Sequence, residues 1–130
     1  MCVYLDCIHV FASPPTFVFC VSPHFFNARY RAAAIQQIQE VLKGGPVYIS
    51  LDIDGLDPAY LPGTGVPEIG GLIPRDVQVI LRSLQGMDIV GADISEVSPC
   101  YDPTGITCVT VANLMFEMLC IIADSIAGKR

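Results

Sequence analysis

Three acidic residues make the strongest case for chemistry in this chain. Asp52 and Asp54 stand in Ser50-Leu51-Asp52-Ile53-Asp54-Gly55-Leu56-Asp57-Pro58, directly after the apolar run Pro46-Val47-Tyr48-Ile49-Ser50-Leu51. That run reads as a buried strand, and two carboxylates at a spacing of two then point to one side of its end. Like charges buried side by side need a positive partner. A divalent cation is the simplest one, and oxygen ligands suit manganese, magnesium or calcium. The plainer alternative is a pair of carboxylates that cap a loop, because Asp is common where strands stop. Glu96 follows a second apolar segment, 89–94, and reads either as a substrate-binding carboxylate or as a solvated residue after a strand.

The elements that must position these acids follow from hydrophobic period and punctuation. Ala34, Ile35, Ile38, Val41 and Leu42 form a helical stripe over 32–42, stopped by Gly44-Gly45. A strand over 47–53 comes next, then a Pro/Gly loop over 55–71. Pro74 opens a helix over 74–84, with Val77, Ile80, Leu81 and Leu84 inward. Its cap position, Ile73, has no side-chain acceptor for the free amides, so that start is weakly specified. After the strand over 89–94, Thr107 is a fair cap for a last helix reaching about residue 126. Helix, strand, helix, strand, helix implies α/β architecture with a parallel sheet. In such sheets ligands collect at the carboxyl ends of strands, where Asp52, Asp54 and Glu96 all fall.

Residues 1–28 are different. Three prolines, both histidines and five of the six phenylalanines fall there without a helical or alternating period, so an irregular apolar leader is expected. Cys7, His9, Cys20 and His24 lack the spacing of a zinc finger. The Pro62-Gly63-Thr64-Gly65 glycines have no following Lys-Ser/Thr and open no helix, so they are not a phosphate loop. They are expected to let backbone pass close to a ligand or another loop. Asp57-Pro58 reads as a turn former.

Composition narrows the class. One domain fits 130 residues, and 52% hydrophobic with 15% charged residues argues against disorder. A net charge of −6 with scattered cations offers nucleic acid no surface. No Gly-x-Ser-x-Gly elbow supports a serine hydrolase. No stretch resembles a membrane span and no signal sequence is evident, so a cytoplasmic protein is expected. Six cysteines without a Cys-x-x-Cys pair, three of them in or beside segments that read as core, are expected to be buried free thiols in a reducing compartment.

The longer pattern is specific. Ser50-x-Asp52-x-Asp54, Pro58, Pro62-Gly63-Thr64-Gly65-x-Pro67-Glu68-x-Gly70-Gly71 and Asp93-Ile94-Ser95-Glu96-Val97-Ser98-Pro99-x-Tyr101-Asp102 resemble the ureohydrolases, the arginase and agmatinase family. The Pro62-Gly63-Thr64-Gly65 and Pro99-x-Tyr101-Asp102 words look more like agmatinases than arginases. The resemblance covers about residues 35–123. It implies part of a three-layer α/β/α fold and two manganese ions bridged by hydroxide that hydrolyse a small guanidino compound to urea and an amine. On matching positions it implies metal ligands Asp52, bridging both ions, and Asp54, chelating one, with Glu96 receiving the guanidinium. It also allows a homo-oligomer.

The sequence departs from the family in three ways. The family's Gly-Gly-Asp-His and Asp-Ala-His-x-Asp blocks, which supply the other four ligands, do not occur, and neither does the region of the proton-shuttling histidine. Val66 stands where the family usually has Thr. Residues 29–130 are therefore expected to be the C-terminal part of a ureohydrolase domain behind an unrelated leader (1–28), truncated and inactive alone, with weak or absent manganese binding. The alternative is a non-catalytic remnant that associates with full-length subunits.

Overall fold

The computed structural model describes the backbone of residues 8–12 and 17–20 and, with side chains, residues 31–128. Four strands form one sheet in the order β2-β1-β3-β4, with β1 at Ile8–Ala12, β2 at Phe17–Cys20, β3 at Pro46–Asp52 and β4 at Asp88–Ser95. Three helices join them: α1 (Arg31–Val41), α2 (Pro74–Ser83) and α3 (Ile106–Ala127). From α1 onward the order is the one the sequence implies, and β3 and β4 pair in parallel.

The leader departs from expectation. Ile8–Ala12 and Phe17–Cys20 are strands, antiparallel to each other, and β1 also runs antiparallel to β3. The sheet is therefore mixed. Their Ile, Val and Phe content favours extended backbone. Pairing on β3 supplies the order that an alternating pattern would have announced. Cys7 and His24 lie outside the described residues, as do the side chains of His9 and Cys20.

Alternation along β3 decides where the core lies. Val47, Ile49 and Leu51 are fully buried, and the intervening Tyr48, Ser50 and Asp52 are half-exposed or exposed. The buried face packs in one cluster with Ile38 and Leu42, with Val77, Ile80, Leu81 and Leu84, and with Val111, Leu114, Met118 and Ile121 of α3. On the opposite face Tyr48 lies over Gly91, its cross-strand neighbour, where a Cβ would come within 2.8 Å of the ring. Asp93 there accepts from the Ser50 hydroxyl at 2.9 Å. Its hydrogen bond also pushes the Tyr48 phenol above its ordinary pKa.

Local signals account for the helix ends. Gly44 has φ +90°, a stop that residues with a Cβ rarely adopt. Pro74 occupies the first turn of α2, and Ile73 gives no side-chain cap, as its apolar side chain requires. The last helix differs from its expected start: Gly105, in the left-handed region, is the cap residue, and Thr107 is a buried residue of the first turn. The capping acceptor is Asp102, whose Oδ2 takes the Thr107 amide at 2.7 Å while Oδ1 takes the Thr104 amide and hydroxyl at 2.9 and 2.5 Å.

Two expectations about α3 are corrected. At 22 residues it is long and apolar enough to cross a membrane, although no such stretch was expected. Its packing is that of a domain helix: Ser125 Oγ accepts from the Ile89 amide at 3.0 Å, and Arg82 clasps Glu117 through two nitrogens. Gln78–Asn113 and Gln85–Asp124 extend that polar tie to α2. Secondly, Cys108 and Cys120 on α3, and Cys100 before it, are free but exposed. Apolar residues occupy both the packed and the outward sides of this helix, so apolar surroundings in sequence did not mean burial.

The cap of α3 makes stability pH-dependent in a defined direction. Bonds from the Thr104 hydroxyl and the Thr107 amide hold the Asp102 carboxyl well below the usual carboxylate range. A depressed folded-state pKa gives stability that is complete above the unfolded value of about 4 and is lost as pH falls toward the folded value. The urea midpoint is expected to fall between about pH 5 and pH 2. In Asp102→Asn that part of the fall should be absent, with lower stability at neutral pH; an unchanged pH profile would count against the assignment.

Candidate metal centre

β3 ends at Asp52, and a single 3-10 turn, Ile53–Gly55, carries the chain away. Asp52 caps this turn, its Oδ1 accepting the Asp54 amide at 2.9 Å. The loop-capping alternative is thus realised for Asp52, and the same bond holds the two residues together. Asp54 is buried, 8% exposed. Its Oδ1 accepts from the Thr64 hydroxyl and, at 3.3 Å, from the Val66 amide. Val66 therefore serves the site through its backbone, and its side chain, where a hydroxyl was expected to be missed, is 58% exposed.

Glu96 reaches the same region from β4. The parallel register sets Asp52 beside Ser95, so Glu96 begins one residue beyond the pair. It is exposed and has φ +62°, the one residue other than glycine with positive φ among those described. Left-handed backbone disfavours a residue with a Cβ and is often held at functional sites. The Glu96 carbonyl lies 2.9 Å from the Thr64 hydroxyl. Thr64, which the sequence analysis did not single out, thus touches both acids. Its only signal there was its place between Gly63 and Gly65.

The loop over 55–71 is fastened rather than free. The Leu72 amide donates to the Gly55 carbonyl at 3.0 Å, and the Asp57 amide donates to the Leu72 carbonyl at 3.0 Å. Asp57 takes the Ala59 and Gly70 amides on its two carboxylate oxygens, the turn-forming role its sequence context implies. Leu56, Leu61 and Leu72 pin the loop into the core. Gly63 lies against α3, where its amide donates to Thr107 Oγ1 at 2.9 Å and an added Cβ would sit 3.0 Å from Thr107 Cβ. Its carbonyl accepts from the Ser98 amide at 2.8 Å. The expectation that these glycines let backbone pass close to another segment is met at Gly63.

The donor set suits a hard cation in kind but not in number. Asp52 and Asp54 offer carboxylate oxygens, the chemistry that manganese prefers. Among the described residues no three His, Cys, Asp or Glu side chains gather as a metal cluster. Two carboxylates are a part of a site, and ligand number governs affinity.

Fold and geometry together define an α/β protein with acidic residues at the carboxyl ends of adjacent parallel strands. A model of the Arginase family matches residues 18–120. The chain belongs to that family, whose members are hydrolases. It is 55% identical over 86 residues to a guanidinobutyrase of Pseudomonas aeruginosa, covering 66% of this chain and 27% of that protein. It is also 55% identical over 86 residues to a mitochondrial agmatinase of Gallus gallus, covering 66% and 25%. Among solved structures, a hypothetical agmatinase from Burkholderia thailandensis superposes with a TM-score of 0.70 at 40% identity, over 77% of this chain and 32% of that one. The chain therefore spans about a quarter to a third of the length of these relatives.

Gly71 offers a direct check on the fastened loop. A Cβ at this position would come within 2.6 Å of the Gly55 carbonyl oxygen and 2.8 Å of the Asp57 amide. Gly71→Ala is expected to cost about 1–3 kcal/mol of stability, the scale of overpacking against backbone. Urea unfolding measures this, and a loss below about 0.5 kcal/mol would show that the loop yields freely.

Proposed function

We propose that this chain carries part of the guanidino-hydrolysing site of an agmatinase-like ureohydrolase. The observation that carries the reading is one coincidence. Asp52 and Asp54 close β3, Glu96 follows the strand paired with it, and the chain matches the Arginase family throughout this region. In this reading Asp52 and Asp54 would be the residues of this chain that hold manganese. When bound, the metal pair would lower the pKa of water and stabilise charge at the carbon under attack.

The chain's own residues do the remaining work. Asp52 and Asp54 supply negative charge at the end of a rigid strand, and the 3-10 turn fixes their separation. Glu96, exposed, offers a planar carboxylate to a planar guanidinium, a pairing that favours two parallel hydrogen bonds. A guanidinobutyrase and an agmatinase among the relatives support a small guanidino compound, hydrolysed to urea and an amine, as the proposed substrate. The chain alone is proposed to be inactive, since the family's blocks with the other four ligands do not occur in it.

Manganese binding by electron paramagnetic resonance and urea release from agmatine and 4-guanidinobutyrate test this together. Weak binding is expected, with a Kd of about 0.1 mM or above for a site short of ligands. Asp52→Ala should weaken it further, and urea should not exceed a metal-only blank. Urea above that blank, lost in Asp52→Ala, would overturn the inactivity.

A second reading, association with full-length family subunits, is favoured by the outer side of α3. Val109, Met115, Phe116, Leu119 and Ile126 are each at least half-exposed there, and β4 is an edge strand. Co-elution of the chain with a full-length agmatinase subunit, abolished by Phe116→Asp, is the expected result. A chain that is folded, monomeric and elutes apart would rule this reading out.

A further inference from the structure

We infer that Thr64 is a positioning residue, a tether that couples the carboxylate of Asp54 to the left-handed backbone presenting Glu96. The inference rests on the roles proposed above for those two acids. Thr64 is 4% exposed, and its hydroxyl bonds Asp54 Oδ1 while lying 2.9 Å from the Glu96 carbonyl. A hydroxyl carries a single proton, so carboxylate and carbonyl share one donor, and both lose it when the hydroxyl is removed. Water is poorly placed to substitute at so buried a position.

Two independent features show that Thr64 is held in place from outside this pair. Gly63 is bonded on both sides, its amide to Thr107 Oγ1 at 2.9 Å and its carbonyl to the Ser98 amide at 2.8 Å. The first bond anchors the loop to α3 and the second to the segment that follows Glu96. The Thr64 amide donates to the Pro62 carbonyl at 3.0 Å, closing a tight turn. Thr64 is therefore delivered to the gap between the strand ends by a backbone that has little freedom to move.

The strain at Glu96 gives the tether something to do. Left-handed backbone lowers the population of a residue with a Cβ by roughly five- to thirty-fold against its ordinary conformations. Glycine carries no such penalty. If the Thr64 hydroxyl holds Glu96 in this conformation, removing it should matter more when position 96 has a Cβ than when it has none. A hydroxyl that merely fills space would cost the same in both cases.

A double-mutant cycle on the full chain, measured by urea unfolding, tests the coupling. Thr64→Val is expected to lower the folding equilibrium constant about tenfold, the scale of one buried hydrogen bond to a charged group. Thr64→Ser should stay within about threefold of the wild type because it keeps the hydroxyl. In the Glu96→Gly background the cost of Thr64→Val should shrink at least threefold. A Thr64→Val chain that folds only in that background supports the tether. Equal costs in both backgrounds, or equal failure to fold, overturn it. Manganese titration of the same proteins separates this from the metal reading: Thr64→Val should weaken binding about fivefold and Thr64→Ser should restore it. Binding that Asp54→Ala leaves unchanged would remove the metal role from Asp54, whereas an additive cycle would remove the tether.

Discussion

The placement of every acid in the site depends on one register, the parallel pairing of β3 with β4. That register is not uniform. Val47 pairs with Ile89, but Tyr48 pairs with Gly91, so Val90 is an extra residue in β4. Because side chains alternate with a period of two, one inserted residue changes which face each later residue occupies. Past the bulge Ala92 and Ile94 accompany Ile49 and Leu51 into the core, and Asp93 and Ser95 accompany Ser50 and Asp52 on the other face. Without it Asp93 would be driven into an apolar core and Ser95 would leave the side of Asp52. Val90 itself is exposed, the cost of a correct register downstream.

Carboxylates in this chain divide by what their oxygens do. Asp57 and Asp102 give both oxygens to nearby amides or hydroxyls, and their work is to shape a loop and to start a helix. Asp54 differs: the Thr64 hydroxyl and the Val66 amide both meet a single oxygen, Oδ1. All three acids sit in the same kind of Gly/Pro-rich setting. Hydrogen bonding tells these carboxylates apart where residue type and location do not.

Much of this was legible in the sequence, and the misses have physical reasons. The helical stripe before Gly44-Gly45, Pro74 at the start of α2, and the two apolar strands were placed to within a residue or two, because period and punctuation act locally. Asp52, Asp54 and Glu96 do converge on adjacent strand ends. Thr64 was not legible, since its partners lie 10 and 32 residues away and only the folded loop brings them together. Nor was the Asp102 cap, because Thr107 stands nearer the start of the apolar run and yet loses to a carboxylate five residues earlier. The strands of the leader were hidden for a related reason: they gain their order from β3, a partner distant in sequence.

The outer side of α3 follows from the same distinction between local pattern and global context. A helix that is apolar on two opposite sides suits a position covered on both, inside a large domain. In this chain one side is covered: Val111, Leu114, Met118 and Ile121 are buried, and Val109, Phe116 and Leu119 face outward. The polar ties from Arg82 to Glu117 and from Gln85 to Asp124 hold one flank against α2, which fixes how the helix is rotated. Rotation therefore cannot hide the outward residues. The family relatives are three to four times as long as the region shared with this chain, and larger domains bury a greater fraction of their surface. The composition of α3 is that of a helix suited to such a domain.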